Sequence, residues 1–215
     1  MIPQVFRDRR HAGRLLAQRL AGFAGAPGLL VLALPRGGVP VAHEVAQAIH
    51  APLDVVIVRK LGVPGHEEYA MGALACGGVR VLNHEVLQSL GISHDEIERV
   101  QQVEQEELQR REALYRPGLP PLDVRARTVL LIDDGLATGA TMRAAAQALR
   151  MQQPARLVLA VPTGAADTCR ALRRDADEVV CLSSPEPFSA VGLWYEDFAQ
   201  TGDDEVLALL GRVAR

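Results

Sequence analysis

Apolar residues fall in short blocks along this 215-residue chain, separated by polar stretches and by Gly and Pro. The blocks at 29–34, 53–58, 128–132, 157–161 and 178–182 have the length and continuity of strands buried on both faces. Leu15, Leu16, Leu20 and Phe23 recur at helical spacing behind Asp8. This predicts an amphipathic helix over 8–24 that packs on a sheet and ends in the Gly-bearing stretch 25–28. Ser93 and Glu96 make a capping-box pattern at the head of a long charged helix over 93–115, with Ile97, Val100, Leu108 and Leu114 as a thin apolar stripe. Such a helix is expected to serve as a surface or subunit-contact element, and a homodimer is compatible with it. Pro117, Pro120 and Pro121 end it. Strands alternating with helices predict an α/β fold, doubly wound around a mainly parallel sheet. No internal repeat or low-complexity linker divides the chain, so one domain over 1–215 is expected.

Composition narrows the class. An apolar content of 48% supplies a sizeable core, and the formal net charge of −3 comes with scattered Lys and Arg, so no footprint for nucleic acid is seen. Cys76, Cys169 and Cys181 are odd in number and far apart in sequence, which argues against a disulfide framework or a structural zinc site. Arg14 and Arg19 interrupt the apolar positions that a signal peptide needs, and the longest apolar run is too short to span a bilayer. The expectation is a cytoplasmic protein without membrane or nucleic-acid partners.

The segment 129–142, VLLIDDGLATGATM, carries the most chemistry. Asp133 and Asp134 fall at the carboxyl end of an apolar strand, where open α/β sheets place ligands. Ala137, Thr138, Gly139, Ala140 and Thr141 follow, small enough for backbone N–H groups to close around an anion at the start of the next helix. Carboxylates accept hydrogen bonds from sugar hydroxyls, so the segment suits a sugar phosphate, with an ordinary Gly-rich turn and solvated Asp caps as the alternative.

This segment resembles the phosphoribosyl diphosphate (PRPP) signature of the type I phosphoribosyltransferases. The resemblance implies that Asp133 and Asp134 hold the ribose hydroxyls and that residues 137–141 hold the 5′-phosphate. Gly135 departs from the pattern, since a branched apolar residue is usual there. After the first strand, Pro35, Arg36, Gly37 and Gly38 form a turn leading into a helix. Arg36, Gly37 and Gly38 match the family's diphosphate loop, often strained or cis. Arg59 and Lys60 end the second predicted strand ahead of Gly62, Pro64 and Gly65, a pattern that resembles the approach to the mobile catalytic hairpin of adenine and orotate phosphoribosyltransferases. By resemblance Arg59 and Lys60 face the diphosphate, and a hairpin over about 62–82 closes over the reacting atoms. His66, Glu67 and Glu68 read as a solvated loop tip rather than metal ligands.

A loop over about 183–198 loosely resembles the hood of the 6-oxopurine enzymes, with Phe188 and Trp194 as candidate base contacts. Those enzymes carry an Asp where this chain has Ala137, so the base is unassigned. Pro162, Thr163 and Gly164 are candidates for the pocket floor. The resemblance implies a fold with a small hood and a mobile hairpin. It also implies transfer of the phosphoribosyl group from PRPP to a nitrogenous base, with Mg²⁺ held by the substrate and contacted by Asp133 and Asp134 directly or through water. The rival is a regulatory protein that senses PRPP without transferring it. A phosphatase using Asp133 and Asp134 lacks a nucleophile at suitable spacing, and a nicotinamide enzyme lacks GxGxxG after the first strand.

Overall fold

The structure is a computed structural model that describes residues 5–75 and 78–212. Five strands form a parallel sheet: β1 (Leu30–Ala33), β2 (Leu53–Val55), β6 (Thr128–Ile132), β7 (Arg156–Thr163) and β8 (Glu178–Ser183), in the order β2-β1-β6-β7-β8. Their continuous apolar runs reflect burial on both faces. Val31, Leu130, Ile132 and Val158 pack into one cluster, while Leu32, Leu131, Leu157 and Leu159 pack into another. Helices α1 (Arg9–Leu20), α2 (Gly38–Ala48), α5 (Ala140–Met151), α6 (Ala166–Leu172) and α7 (Asp203–Leu209) complete the α/β arrangement. Asp8 caps α1 by accepting from the His11 N–H, as expected from its place before the apolar periodicity.

The chain leaves β1 toward β2 on one side and returns to β6 on the other, so the strand order reverses between β1 and β6. Ala33 pairs with Ile132 at the last rung of that ladder. The loops after these two strands therefore face one crevice at the carboxyl edge, where doubly wound sheets bind ligands.

The expected strand at 53–58 needs correction. β2 stops at Val55, Val56 and Ile57 are buried in the crossing, and β3 (Val58–Val63) starts a separate antiparallel sheet with β4 (His66–Ala75) and β5 (Val79–Leu82). Arg59 and Lys60 thus lie within β3 rather than at the end of a parallel strand. Continuous apolar character hides the exit, because Val56 and Ile57 are as buried in the crossing as they would be in a strand. A short helix, α3 (His84–Leu90), follows, and α4 (His94–Tyr115) opens with the full capping box of Ser93 and Glu96. Helix α4 packs on β3 and β4 through buried Ile97 and Leu108. Its apolar stripe is therefore used within the chain. Among the described residues no helix is long and apolar enough to cross a membrane.

Candidate active site

At the head of β6 the ladder ends in two carboxylates that the backbone itself organises. Asp133 Oδ1 accepts the Asp134 N–H at 2.9 Å. Burial, reinforced by the charge of Asp134, pushes the Asp133 carboxyl well above the ordinary range. Burial also raises Asp134, against the opposing pull of Arg9. The Arg9 guanidinium reaches from α1 to Asp134 Oδ2 at 2.8 Å, donates to the Ala199 carbonyl at 2.6 Å, and lies 3.9 Å above the Phe198 ring. Sequence reasoning missed Arg9 as a site residue. The available signal was electrostatic: α1 carries no acidic residue in its first turn, so a cation at that positive helix end needs a partner elsewhere.

The 35–38 turn packs directly on this pair. A Cβ at Gly37 would overlap the Asp134 carboxylate, and one at Gly38 would come within 2.7 Å of the Ile132 carbonyl and 3.1 Å of Asp133 Oδ1. The Pro35–Arg36 peptide is cis. Arg36 Nη1 lies 3.5 Å from Asp203 of α7. On the other side of the crevice, Ala137, Thr138 and Thr141 are exposed while Gly139 is buried, and Ala140 opens α5. Gly139 has φ +71°, a left-handed geometry that turns the loop into the helix. Thr138 Oγ1 accepts from the Ala140 N–H at 3.4 Å, and Thr168 Oγ1 of α6 donates to the Ala137 carbonyl at 2.7 Å. An exposed loop at a helix N-terminus can receive a phosphate.

Gly135 acquires a packing reason. A Cβ there would collide with Val191 of the 183–198 loop, so that loop sits on the turn following the acidic pair. Tyr195 fastens it, donating to the Asp134 carbonyl at 2.6 Å, and burial beside Asp134 holds its phenol protonated. Phe188 and Trp194 stack on each other at 6.3 Å between ring centroids. Thr163 is fully buried with Oγ1 unpartnered among the described residues, as is Trp194 Nε1.

A cavity of about 650 Å³ opens beside the two loops, lined by Pro35, Thr141, Arg59, Lys60, Glu104 and Arg111 among others. Arg59 and Lys60 therefore reach the crevice through β3, but Arg59 Nε is bound to Glu104 of α4 at 2.6 Å. Sequence reasoning missed Glu104 because α4 read as an outward-facing element. The described cysteines, Cys169 and Cys181, are free, and Cys76 lies outside the described residues. Though distant in sequence, Cys169 and Cys181 interact: Cys169 draws the Cys181 thiol down to about 7, and Cys181 Sγ donates to the Ser183 carbonyl at 3.1 Å.

Residues 8–197 match the family model for the phosphoribosyl transferase domain. The Mycobacterium tuberculosis protein Rv0571c, which carries a provisional phosphoribosyl transferase name, is 48% identical over 99% of this chain. The chain spans about half the length of the curated relatives it matches, 48% of that protein. A crystal structure of the Thermus thermophilus protein TT1426 shares 43% identity with a TM-score of 0.86, covering 96% of this chain and 98% of that one. A protein of Chloroflexus aurantiacus named bifunctional protein PyrR is 32% identical over 59% of this chain and 65% of its own length.

Proposed function

Because the chain belongs to the phosphoribosyl transferase domain family, we propose that it moves the 5-phosphoribosyl group of PRPP to a ring nitrogen of a base and releases diphosphate. The observation that carries this reading is the convergence of the 35–38 turn, the acidic pair and the 137–141 loop at the switch between β1 and β6. Asp133 and Asp134 receive the ribose hydroxyls, and the exposed Thr138 and Thr141 with the backbone at the head of α5 receive the 5′-phosphate. The bond from C1 to the diphosphate oxygen breaks with its electron pair leaving on diphosphate. The base nitrogen bonds to C1 from the opposite face and loses its proton.

Charge builds on the departing diphosphate, beside Arg36, Arg59 and Lys60, while the ribose gains cationic character beside the carboxylates. The two carboxylates suit Mg²⁺ bound chiefly through substrate. Among the described residues no group of three acidic, His or Cys side chains forms a cage, and Asp133 Oδ1 and Asp134 Oδ2 are already engaged. When bound, the ion neutralises diphosphate charge. Phe188 and Trp194 supply an aromatic surface for the base.

Mass-spectrometric detection of nucleotides after incubation with Mg²⁺, PRPP and a pooled panel of bases tests the reading. A base-dependent monophosphate that disappears in Asp134→Asn is the expected result, and absence of PRPP binding by calorimetry overturns it. The second reading, a PRPP-binding regulator, is favoured by one observation: Arg36 and Arg59 are both engaged by carboxylates. PRPP binding without product from any base in the panel would select it.

A further inference from the structure

Each arginine around the diphosphate side of the crevice already has an acceptor. Arg59 is held by Glu104, Arg36 by Asp203, and Arg111 by Glu107 of its own helix at 2.6 Å, while Arg99 donates to the Asp95 carbonyl. The first two pairs differ from the others, because they join a motif arginine to a carboxylate from an element outside the motifs. Glu104 comes from α4 and Asp203 from the first turn of α7. Each carboxylate can part from its arginine. Glu104 lies at the cavity wall with its side chain 22% exposed, and Asp203 is independently held by the Tyr115 hydroxyl.

We propose that Glu104, together with Asp203, competes with diphosphate for the motif arginines: the carboxylates neutralise Arg59 and Arg36 and are displaced when a magnesium-diphosphate group enters. Clustered cations facing a cavity repel one another, and nearby carboxylates relieve that cost. A diphosphate presents more charge and more acceptor oxygens to the same guanidinium groups, so it wins the exchange when it is bound elsewhere as well. The consequence is that the chain gives up affinity for free diphosphate, which favours release of that product. This inference rests on the phosphoribosyl-transfer reading, deepening it by assigning regulation to two residues that the motifs do not contain.

The test is calorimetric titration of the whole chain with inorganic diphosphate and, separately, PRPP, each with Mg²⁺. Glu104→Gln is expected to tighten diphosphate binding about threefold, the scale of a partly screened ion pair. Glu104→Asp keeps the charge but withdraws it from Arg59, and it is expected to tighten binding likewise; it carries the test if the Gln variant does not fold. In an Arg59→Gln background the Glu104 substitution should lose its effect, since a double-mutant cycle isolates the pair. Glu106→Gln, at an exposed position on the same helix, should change nothing.

Equal tightening by Glu106→Gln would reduce the effect to general charge and overturn the exchange. Unchanged or weaker diphosphate binding in both Glu104 variants, with PRPP still bound by the wild type, would overturn it while leaving phosphoribosyl transfer intact. No binding of either ligand by any variant would remove both.

Discussion

Arg9 Nε stands 2.8 Å from Asp134 Oδ2 across 125 residues of sequence, with both side chains largely buried at 11% and 15% exposure. The first helix is therefore part of the acidic site. The same guanidinium touches Phe198 and the Ala199 carbonyl, so it also ties the chain following the aromatic loop to the strand that carries the carboxylates. Gly37 completes the junction, since a Cβ there would meet both Asp134 and, at 3.3 Å, Arg9 Nε.

Arg9→Met should be costly out of proportion to one contact. It leaves Asp134 buried beside Asp133 with its cation removed, a loss of about 3 kcal/mol when one partner of a buried pair is deleted. Urea unfolding at pH 7 measures it. Adding Asp134→Asn should recover most of the loss, because the uncompensated charge goes too. A single-variant loss below about 0.5 kcal/mol would place the pair with ordinary surface bridges instead.

Asp133→Asn should make the protein more stable. Burial, then the neighbouring Asp134 charge, raises the folded carboxyl well above 3.8, so the folded state holds a proton that the unfolded state releases. Stability therefore falls as pH rises from the unfolded value through the raised folded one. The variant carries no such titration. Its advantage should be absent below about pH 3.9, the ordinary Asp value, and complete above the folded value, amounting to a few degrees in Tm for about 1 kcal/mol. Thermal melts in chelator across pH 3–8 test this. A variant less stable than wild type at pH 7 would mean that the charge is better compensated than its burial indicates.

The residues that can be read from sequence are those whose signal is local. Asp133 and Asp134 follow an unbroken apolar run, and the carboxyl end of such a run is a known place in this kind of sheet. The Ser93 and Glu96 capping box lies within four residues and formed as expected. Arg59 was harder, because apolar character does not reveal that the chain leaves one sheet at Val55 and enters another at Val58. Glu104 and Val191 were not legible as site residues at all, and Arg9 showed only as a cation at a helix N-terminus with no acidic residue in its first turn. Each matters through one partner remote in sequence, respectively Arg59, Gly135 and Asp134, and no periodicity or motif records such a pairing.

Gly139→Ala tests the proposed phosphate contact of residues 137–141 through its backbone. Gly139 has φ +71°, and an added Cβ would come within 2.5 Å of Thr168 Cγ2. Thr168 cannot yield freely, since its hydroxyl is bonded to the Ala137 carbonyl in the same loop. The left-handed conformation alone costs an Ala about 1 kcal/mol, and the contact adds to it. The loop should therefore shift, weakening PRPP binding about tenfold, equivalent to 1.4 kcal/mol. Calorimetry of PRPP in Mg²⁺ gives the number. Unchanged affinity would mean that the 137–141 backbone does not hold the phosphate.

Cys181 offers a pH-dependent probe of the wall beneath the aromatic loop. Its thiol is drawn down to about 7 chiefly by the neighbouring Cys169, with Ser184 assisting against burial, while its Sγ donates to the Ser183 carbonyl at 3.1 Å. The partner is affected in the opposite sense, as Cys169 is pushed up by Cys181 and by burial. Near neutral pH Cys181 should therefore be partly thiolate, the reactive form, whereas an ordinary thiol with a value of about 8.5 would be almost wholly protonated. Timed iodoacetamide labelling read by mass spectrometry should show Cys181 modified with a midpoint near pH 7 and Cys169 untouched in the same window. Cys169→Ala removes that neighbour, so the Cys181 midpoint should climb toward that of an ordinary thiol. If the midpoint stays where it was, the cause lies with Ser184 rather than Cys169; if Cys169 labels first, Cys169 is the thiol that holds the negative charge.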